Sequence, residues 1–192
     1  MTIVDDEALT QAIARGDQAS FEAFIHRYHG PLLNFIERML QDPGKAEDFV
    51  QETFIKFIRQ LKEKGIPDNS KAWLFKVAAN MCRDHWRSAS YKKEKHVLEY
   101  IPEKESPNDS VVDIYEKQET RKEILAVLNQ LPERQREIVI LRFYHDMKLK
   151  EIAEILDCPI GTIKSRLFHS MAFLKATLSG QEGAESHERK FK

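Results

Sequence analysis

The sequence predicts an all-α protein of two small helical domains joined by a flexible linker, the second a four-helix domain with a helix-turn-helix. Three observations predict this. Apolar residues recur at three- and four-residue intervals on either side of a stretch where that rhythm fails. Only 7 glycines and 7 prolines occur in 192 residues, too few for the tight turns of an all-β chain. The stretch without rhythm, 89–114, carries Pro102 and Pro107 among charged and small residues, as an extended linker does.

The first domain spans 1–88. Phe21, Phe24, Ile25, Tyr28, Leu32, Phe35, Ile36 and Met39 form one apolar helix face. That register continues through Gly30-Pro31, which predicts a kinked or briefly interrupted helix started by Asp17 or Ser20. A second helix opens after Asp42-Pro43-Gly44 and buries Ala46, Phe49, Val50, Phe54, Phe57, Ile58 and Leu61. A polar loop, 62–71, contains Gly65, Pro67 and Asn69. A third helix over about 71–87 buries Leu74, Val77, Ala78, Met81 and Cys82. In the linker the charge changes sign, from Lys92, Lys93 and Lys95 to Glu99, Glu103, Glu105, Asp109 and Asp113.

The second domain spans 115–178. Ile124, Leu125, Leu128 and Leu131 mark its first helix, and Pro132 suits the first turn of the next, which carries Ile138, Val139 and Leu141. Leu149, Ile152, Ala153 and Leu156 mark a short third helix. Ile160, Ile163, Leu167, Met171 and Leu174 mark the fourth. Residues 179–192 have no apolar stripe and are predicted to be a disordered tail.

Composition excludes several classes. Lys plus Arg is 30 and Asp plus Glu 31, a net charge of −1, so any basic surface must be local. No apolar run approaches the roughly 20 residues of a membrane span, and MTIVDDEALTQ lacks the apolar core of a secretory signal. Cys82 and Cys158 cannot build a disulfide framework, which fits a reducing cytoplasm. The common nucleotide, hydrolase and zinc-protease motifs are absent. His26 with His29, and Cys82 with His85, have metal-ligand spacing. A structural zinc needs four ligands and nothing pairs these, so no metal and no cofactor is expected.

Three surfaces carry chemistry. Residues 149–175 read as helix, tight Asp157–Gly161 turn, longer helix. The second helix presents Thr162, Ser165, Arg166 and His169, flanked by Lys164 and Phe168. Hydroxyl, guanidinium and imidazole groups on one face suit phosphates and base edges in a major groove. On the helix at 71–87, Trp73, Lys76, Asn80, Arg83 and Arg87 form a stripe suited to stacking unpaired bases and holding their phosphates, bordered by Lys56. Trp73 could equally belong to the core. On the helix before it, Asp48, Gln51, Glu52 and Ile55 form an acidic stripe that is either a solvated flank or a dock for a basic protein surface.

Four stretches, GDQASFEAFIHRYHGPLLNF, AEDFVQETFIKF, KAWLFKVAANMCRDHWR and LPERQREIVILRFYHDMKLKEIAEILDCPIGTIKSRLFHS, resemble in order and spacing the RNA polymerase sigma factors of the extracytoplasmic-function (ECF) type. The resemblance covers about residues 12–178. It implies a first domain that binds core polymerase and opens the −10 promoter element, and a second that reads the −35 element. The family's core-binding motif falls on Glu47, Asp48, Gln51, Glu52, Phe54 and Ile55. It would dock on a coiled coil of the β′ subunit. The −10 surface falls on Lys56, Asn69, Ser70, Lys71, Trp73, Lys76, Asn80, Arg83 and Arg87, with the 62–71 loop forming a pocket for one flipped base. The −35 contacts fall on Thr162, Lys164, Ser165, Arg166, Phe168 and His169. The sequence departs from the family at His169, where a basic residue is usual, and at Ser170–Leu174, which has none.

The resemblance further implies a non-enzymatic, cytoplasmic bacterial protein, nucleoid-associated when active. Its partners would be the β′ and β subunits of core RNA polymerase, promoter DNA and a membrane-borne anti-sigma factor. The chain itself would not insert in a membrane. The rival reading is a helix-turn-helix repressor or response regulator that binds palindromic duplex sites as a dimer without polymerase.

Overall fold

In the computed structural model, residues 5–88 and 124–188 are described, with side chains through 178, and every regular element among them is helical. Helix α1 is Asp6–Ala14, α2 Gln18–Leu40, α3 Pro43–Glu63 and α4 Ser70–Arg87. Residues 124–130 are helical and form α5. They are followed by α6 Glu133–Phe143, α7 Leu149–Leu156 and α8 Ile160–Glu188. The linker 89–114 lies outside the described residues.

Caps explain where the helices begin. The Asp17 carboxylate accepts from the Ser20 N–H at 2.8 Å, Asp42 from Lys45 at 3.0 Å and the Asn69 side-chain oxygen from Ala72 at 3.0 Å, each meeting one of the donors a helix start leaves unpaired. Pro43 occupies the first turn of α3, where its missing N–H costs nothing. Helix α2 is not interrupted at Gly30-Pro31: it runs from Gln18 to Leu40 with Pro31 inside. Its apolar stripe, Phe24, Tyr28, Leu32, Phe35, Ile36 and Met39, is buried on both sides of the proline, so packing holds the register across the lost hydrogen bond.

Helix α1 has no counterpart in the sequence reading. It is short, and only Leu9, Thr10 and Ile13 are buried. Asp6 anchors it to α2 by accepting hydrogen bonds from Arg27 and the Tyr28 hydroxyl. At the other end, α8 continues past 178 to Glu188, so residues 179–188, expected to be disordered, are helical. A helix already nucleated by packed residues extends at little further cost.

The cores of the two domains are continuous. Phe35, Phe57, Leu74 and Phe75 of the first domain belong to one buried apolar cluster with Ile138, Ile140, Leu141, Met147, Ile152 and Ile155 of the second. A smaller cluster, Leu128, Leu131 and Val139, lies wholly in the second domain. Helix α4 packs on α2 and α3 from one side and on α7 from the other, while α6 touches α2.

Phe57 stacks on Phe24 with ring centroids 4.9 Å apart and touches Trp73 at 5.5 Å. Phe57→Ala is expected to destabilise the chain by about 3–5 kcal/mol, from lost burial and the cavity left behind, measured by denaturant unfolding.

Candidate nucleic-acid interface

The helix-turn-helix is α7, a tight turn and α8. Glu151 caps α7 by accepting the Lys148 N–H at 2.8 Å. Asp157 ends it in the left-handed conformation, φ 51°, and Pro159 leads into α8. Ile152, Ile155, Leu156 and Ile163 are buried, which fixes how α8 rolls on α7. On the open face Lys164, Ser165, Phe168 and His169 are exposed, Phe168 at 72%, while Thr162 and Arg166 are half-buried. The Arg166 guanidinium lies 3.8 Å from the Cys158 sulfur. Lys164, Ser165, Phe168 and His169 share one side of α8, with Thr162 and Arg166 at its edge. Ser170 is buried, donating to the Arg166 carbonyl at 2.7 Å and to Gln135 at 3.2 Å.

On α3, Glu47, Asp48, Gln51 and Ile55 are exposed and Glu52 is half-exposed. Glu52 pairs with Lys56 at 3.0 Å, and Glu47 lies 3.5 Å from His29. Phe54 does not belong to this stripe. It is 6% exposed and lies in the core, because it sits one turn from Val50 and next to the buried Phe57 line.

The predicted stripe on α4 is largely covered. Trp73 is half-buried, packed on Phe57 and the core, and is not a free aromatic. Asn69 spends its side-chain oxygen on the α4 cap, and Ser70 is buried. Of the cations, Lys71 pairs with Glu151 at 3.7 Å, Lys76 with Asp157 at 3.8 Å and Arg83 with Glu137 at 3.3 Å. Arg87 pairs with Asp84 at 3.9 Å, and Asn80 is exposed.

The sequence reading missed the interdomain residues. His145, between α6 and α7, lies against Phe35 at 5.9 Å and Phe75 at 5.2 Å, and the Arg38 guanidinium covers the Tyr144 ring at 4.3 Å. Glu137 is fully buried. A signal was present: Ile138 to Leu141 are four consecutive apolar residues, and a helix apolar on all sides is covered on more than one of them. Open cavities lie among the described residues. One of about 210 Å³ is lined by Ile124, Val139, Phe143, Tyr144 and Met171, another of about 420 Å³ by Glu22, His26 and His29. Among the described residues no three His, Cys, Asp or Glu side chains converge as metal ligands, and no helix is long and apolar enough to cross a membrane.

Comparison with known proteins bears on this geometry. The sigma-70 region 2 family model matches residues 24–91 and the sigma-70 region 4 model residues 121–174, together more than half of the chain. The chain belongs to the ECF sigma factors. It is 27% identical over 184 residues to the RNA polymerase sigma-H factor of Pseudomonas aeruginosa, covering 88% of this chain and 92% of that one. It is 26% identical to the ECF RNA polymerase sigma-E factor of Escherichia coli, covering 86% and 90%. Among solved structures it resembles the sigma factor RpoE of Bartonella quintana, in complex with the anti-sigma factor NepR (TM-score 0.63, 27% identity, 83% and 96% covered). It shares the fold of CnrH (TM-score 0.66, 22% identity, 91% and 97% covered). The chain is thus an alternative sigma factor, and the repressor reading is not favoured.

Two interface groups of this sigma factor titrate in opposite senses. Burial pushes the Glu137 carboxyl up to about 7. Arg83, Arg134 and Arg166 pull against it, and Glu133 adds to it. Burial holds His145 down at about 4, and the Arg38 and Lys71 charges push it the same way. The raised carboxyl stabilises the fold fully below 4.5, and that contribution is lost as pH rises towards 7. The lowered imidazole contributes above 6.5, and that is lost as pH falls towards 4. Between pH 4.5 and 6.5 the two slopes oppose, so the melting temperature should be nearly flat. Glu137→Gln should melt several degrees lower at the acid end than at the neutral end, and His145→Asn several degrees higher, in thermal scans across that window.

Proposed function

We propose that this ECF sigma factor joins core RNA polymerase, directs it to particular promoters and promotes opening of the −10 element. The β′ subunit would dock on the acidic stripe of α3, with Glu47, Asp48, Gln51, Glu52 and Ile55 as the contacts. The −35 duplex would be read by Thr162, Lys164, Ser165, Arg166, Phe168 and His169. Lys56, Lys71, Trp73, Lys76, Asn80, Arg83 and Arg87, with the 62–71 loop, would hold the separated −10 strand. The protein makes and breaks no bonds itself, works in the cytoplasm, and is held inactive by a membrane-borne anti-sigma factor.

One observation carries this reading: Lys164, Ser165, Phe168 and His169 stand exposed on one side of a helix whose other side is fixed by Ile163 and Ser170. An exposed aromatic beside hydroxyl, ammonium and imidazole groups suits apolar and polar contacts with base edges in a groove. The anti-sigma assignment is supported by the NepR complex of the Bartonella relative. Run-off transcription with purified core enzyme tests the whole: transcripts should need both core and this chain. Dimeric binding to palindromic duplex without core, and no transcript with it, would favour the repressor.

Two substitutions separate the surfaces. Asp48→Arg with Glu52→Arg reverses charge at one exposed and one half-exposed position, where like-charge contacts across an interface cost several kcal/mol. The double variant should fail to co-elute with core polymerase while melting as the wild type does. At position 169 an arginine would carry a permanent charge and a fork of N–H donors suited to phosphate. His169→Arg should tighten duplex binding by the full chain and steepen its salt dependence by about one counterion, measured on a randomised −35 library at two salt concentrations.

A further inference from the structure

The inward stripe of α8 is Ile163, Leu167, Ser170 and Leu174, spaced at three- and four-residue intervals. Three of these are apolar. The fourth, Ser170, is fully buried and takes the place of a core residue. Its hydroxyl reaches the Arg166 carbonyl on its own helix at 2.7 Å and the Gln135 side-chain oxygen on α6 at 3.2 Å. A serine has one proton to give, so the two acceptors share it. Arg166 is thereby met at both ends, its carbonyl by Ser170 and its guanidinium by the Cys158 sulfur. The apolar packing beside this pair is incomplete. Met171 and Leu174 line the open cavity of about 210 Å³, together with Ile124, Val139 and Phe143. Apolar contact has no preferred direction, so on that side little resists a roll of the helix.

We propose that Gln135 and Ser170 are positioning residues for −35 recognition: their buried hydrogen bond sets the rotation of α8 about its own axis, and so decides which bases Ser165, Arg166 and His169 meet. This rests on the reading of α8 as the −35 helix. Ser170 is buried and cannot reach DNA, so it acts through Arg166 and through the roll of the helix. A side chain reaching about 6 Å from a helix axis moves about 1.5 Å when the helix rolls by about 15°. Hydrogen bonds tolerate a spread of only about 0.5 Å. A roll of that size breaks a contact with a base edge, while the long, flexible Lys164 still finds a phosphate. Sequence preference therefore depends on the pair, and overall affinity does not. Replacing both partners together leaves no unmet polar group, so stability does not depend on it either.

The test measures binding of full-length variants to a randomised −35 duplex library, with thermal melting alongside. Gln135→Met with Ser170→Ala replaces both partners by apolar groups of similar size. This double variant should melt as the wild type does. Its preference for the best over the worst base, at the positions the wild type reads, should fall by about fivefold or more. Its mean affinity for the library should stay within about twofold, since phosphate contacts are kept. Ser170→Thr keeps the hydroxyl and should keep the preference. Val50→Ala, a core truncation in the first domain, should melt lower yet keep it too. Wild-type preference in the double variant would overturn the proposal. Blurred preference in Val50→Ala or Ser170→Thr would tie selectivity to stability or packing, not to this hydrogen bond, and would also overturn it. So would loss of affinity for every sequence in the double variant, because α8 would then have lost its seat and not its rotation. A wild-type chain without any preference would refute the −35 reading itself, and the proposal would fall with it.

Discussion

Helix α4 is the wall that the two domains share, and the rest of the arrangement follows from its burial. Between Ser70 and Arg83 only Asn80 is exposed. Leu74, Phe75, Ala78, Ala79 and Cys82 are almost wholly removed from water. Arg83 can be buried this far only if something meets its charge, because an unpaired buried cation would forfeit its hydration, while Lys71 and Lys76 stay partly in water. The second domain does so with carboxylates. Small residues at 72, 78 and 79 let the neighbouring backbones come close, which brings α7 near enough for Glu151 and Asp157 to reach across.

The legible and illegible parts of the fold divide along a physical line. Helices α2, α3, α6 and α7 could be read because each has a wide apolar stripe and a recognisable start, such as Asp17, Asp42 or Pro132. The placement of α8 on α7 was readable for the same reason. Helix α1 was not, because its anchoring depends on Asp6 meeting Arg27 and Tyr28, a contact between residues 21 and 22 positions apart that no local periodicity shows. The stripe of α4 was read on the assumption that a charged face is a solvated face. Trp73, which the sequence left open between stripe and core, packs inward, and Lys71, Lys76 and Arg83 broke that assumption by pairing with the other domain. Phe54 was drawn into the docking stripe by its neighbours in sequence, although its helical position places it with Val50 and Phe57.

The α3 stripe, the α8 stripe and the α4 face consequently differ in state within one structure. The α3 stripe and the α8 stripe are presented on finished supports: α3 by the stack of Phe24 on Phe57, α8 by Ile163 and by Ser170 hydrogen-bonded to Gln135. The α4 face is occupied. Rigid support and open access are what a duplex-reading or protein-docking surface requires, since neither partner needs to be deformed.

The two cysteines occupy contrasting chemical settings. Cys82 is fully buried, and loss of hydration pushes its thiol far above the ordinary range, so it stays protonated and unreactive. Cys158 is half-buried in the turn before α8, its sulfur 3.8 Å from the Arg166 guanidinium. A thiol reagent added to the native chain will consequently mark the helix-turn-helix alone. A small fluorophore attached there would sit beside Arg166. The unaltered sequence thus supplies a single place for an optical label on the helix-turn-helix, without any residue having to be engineered.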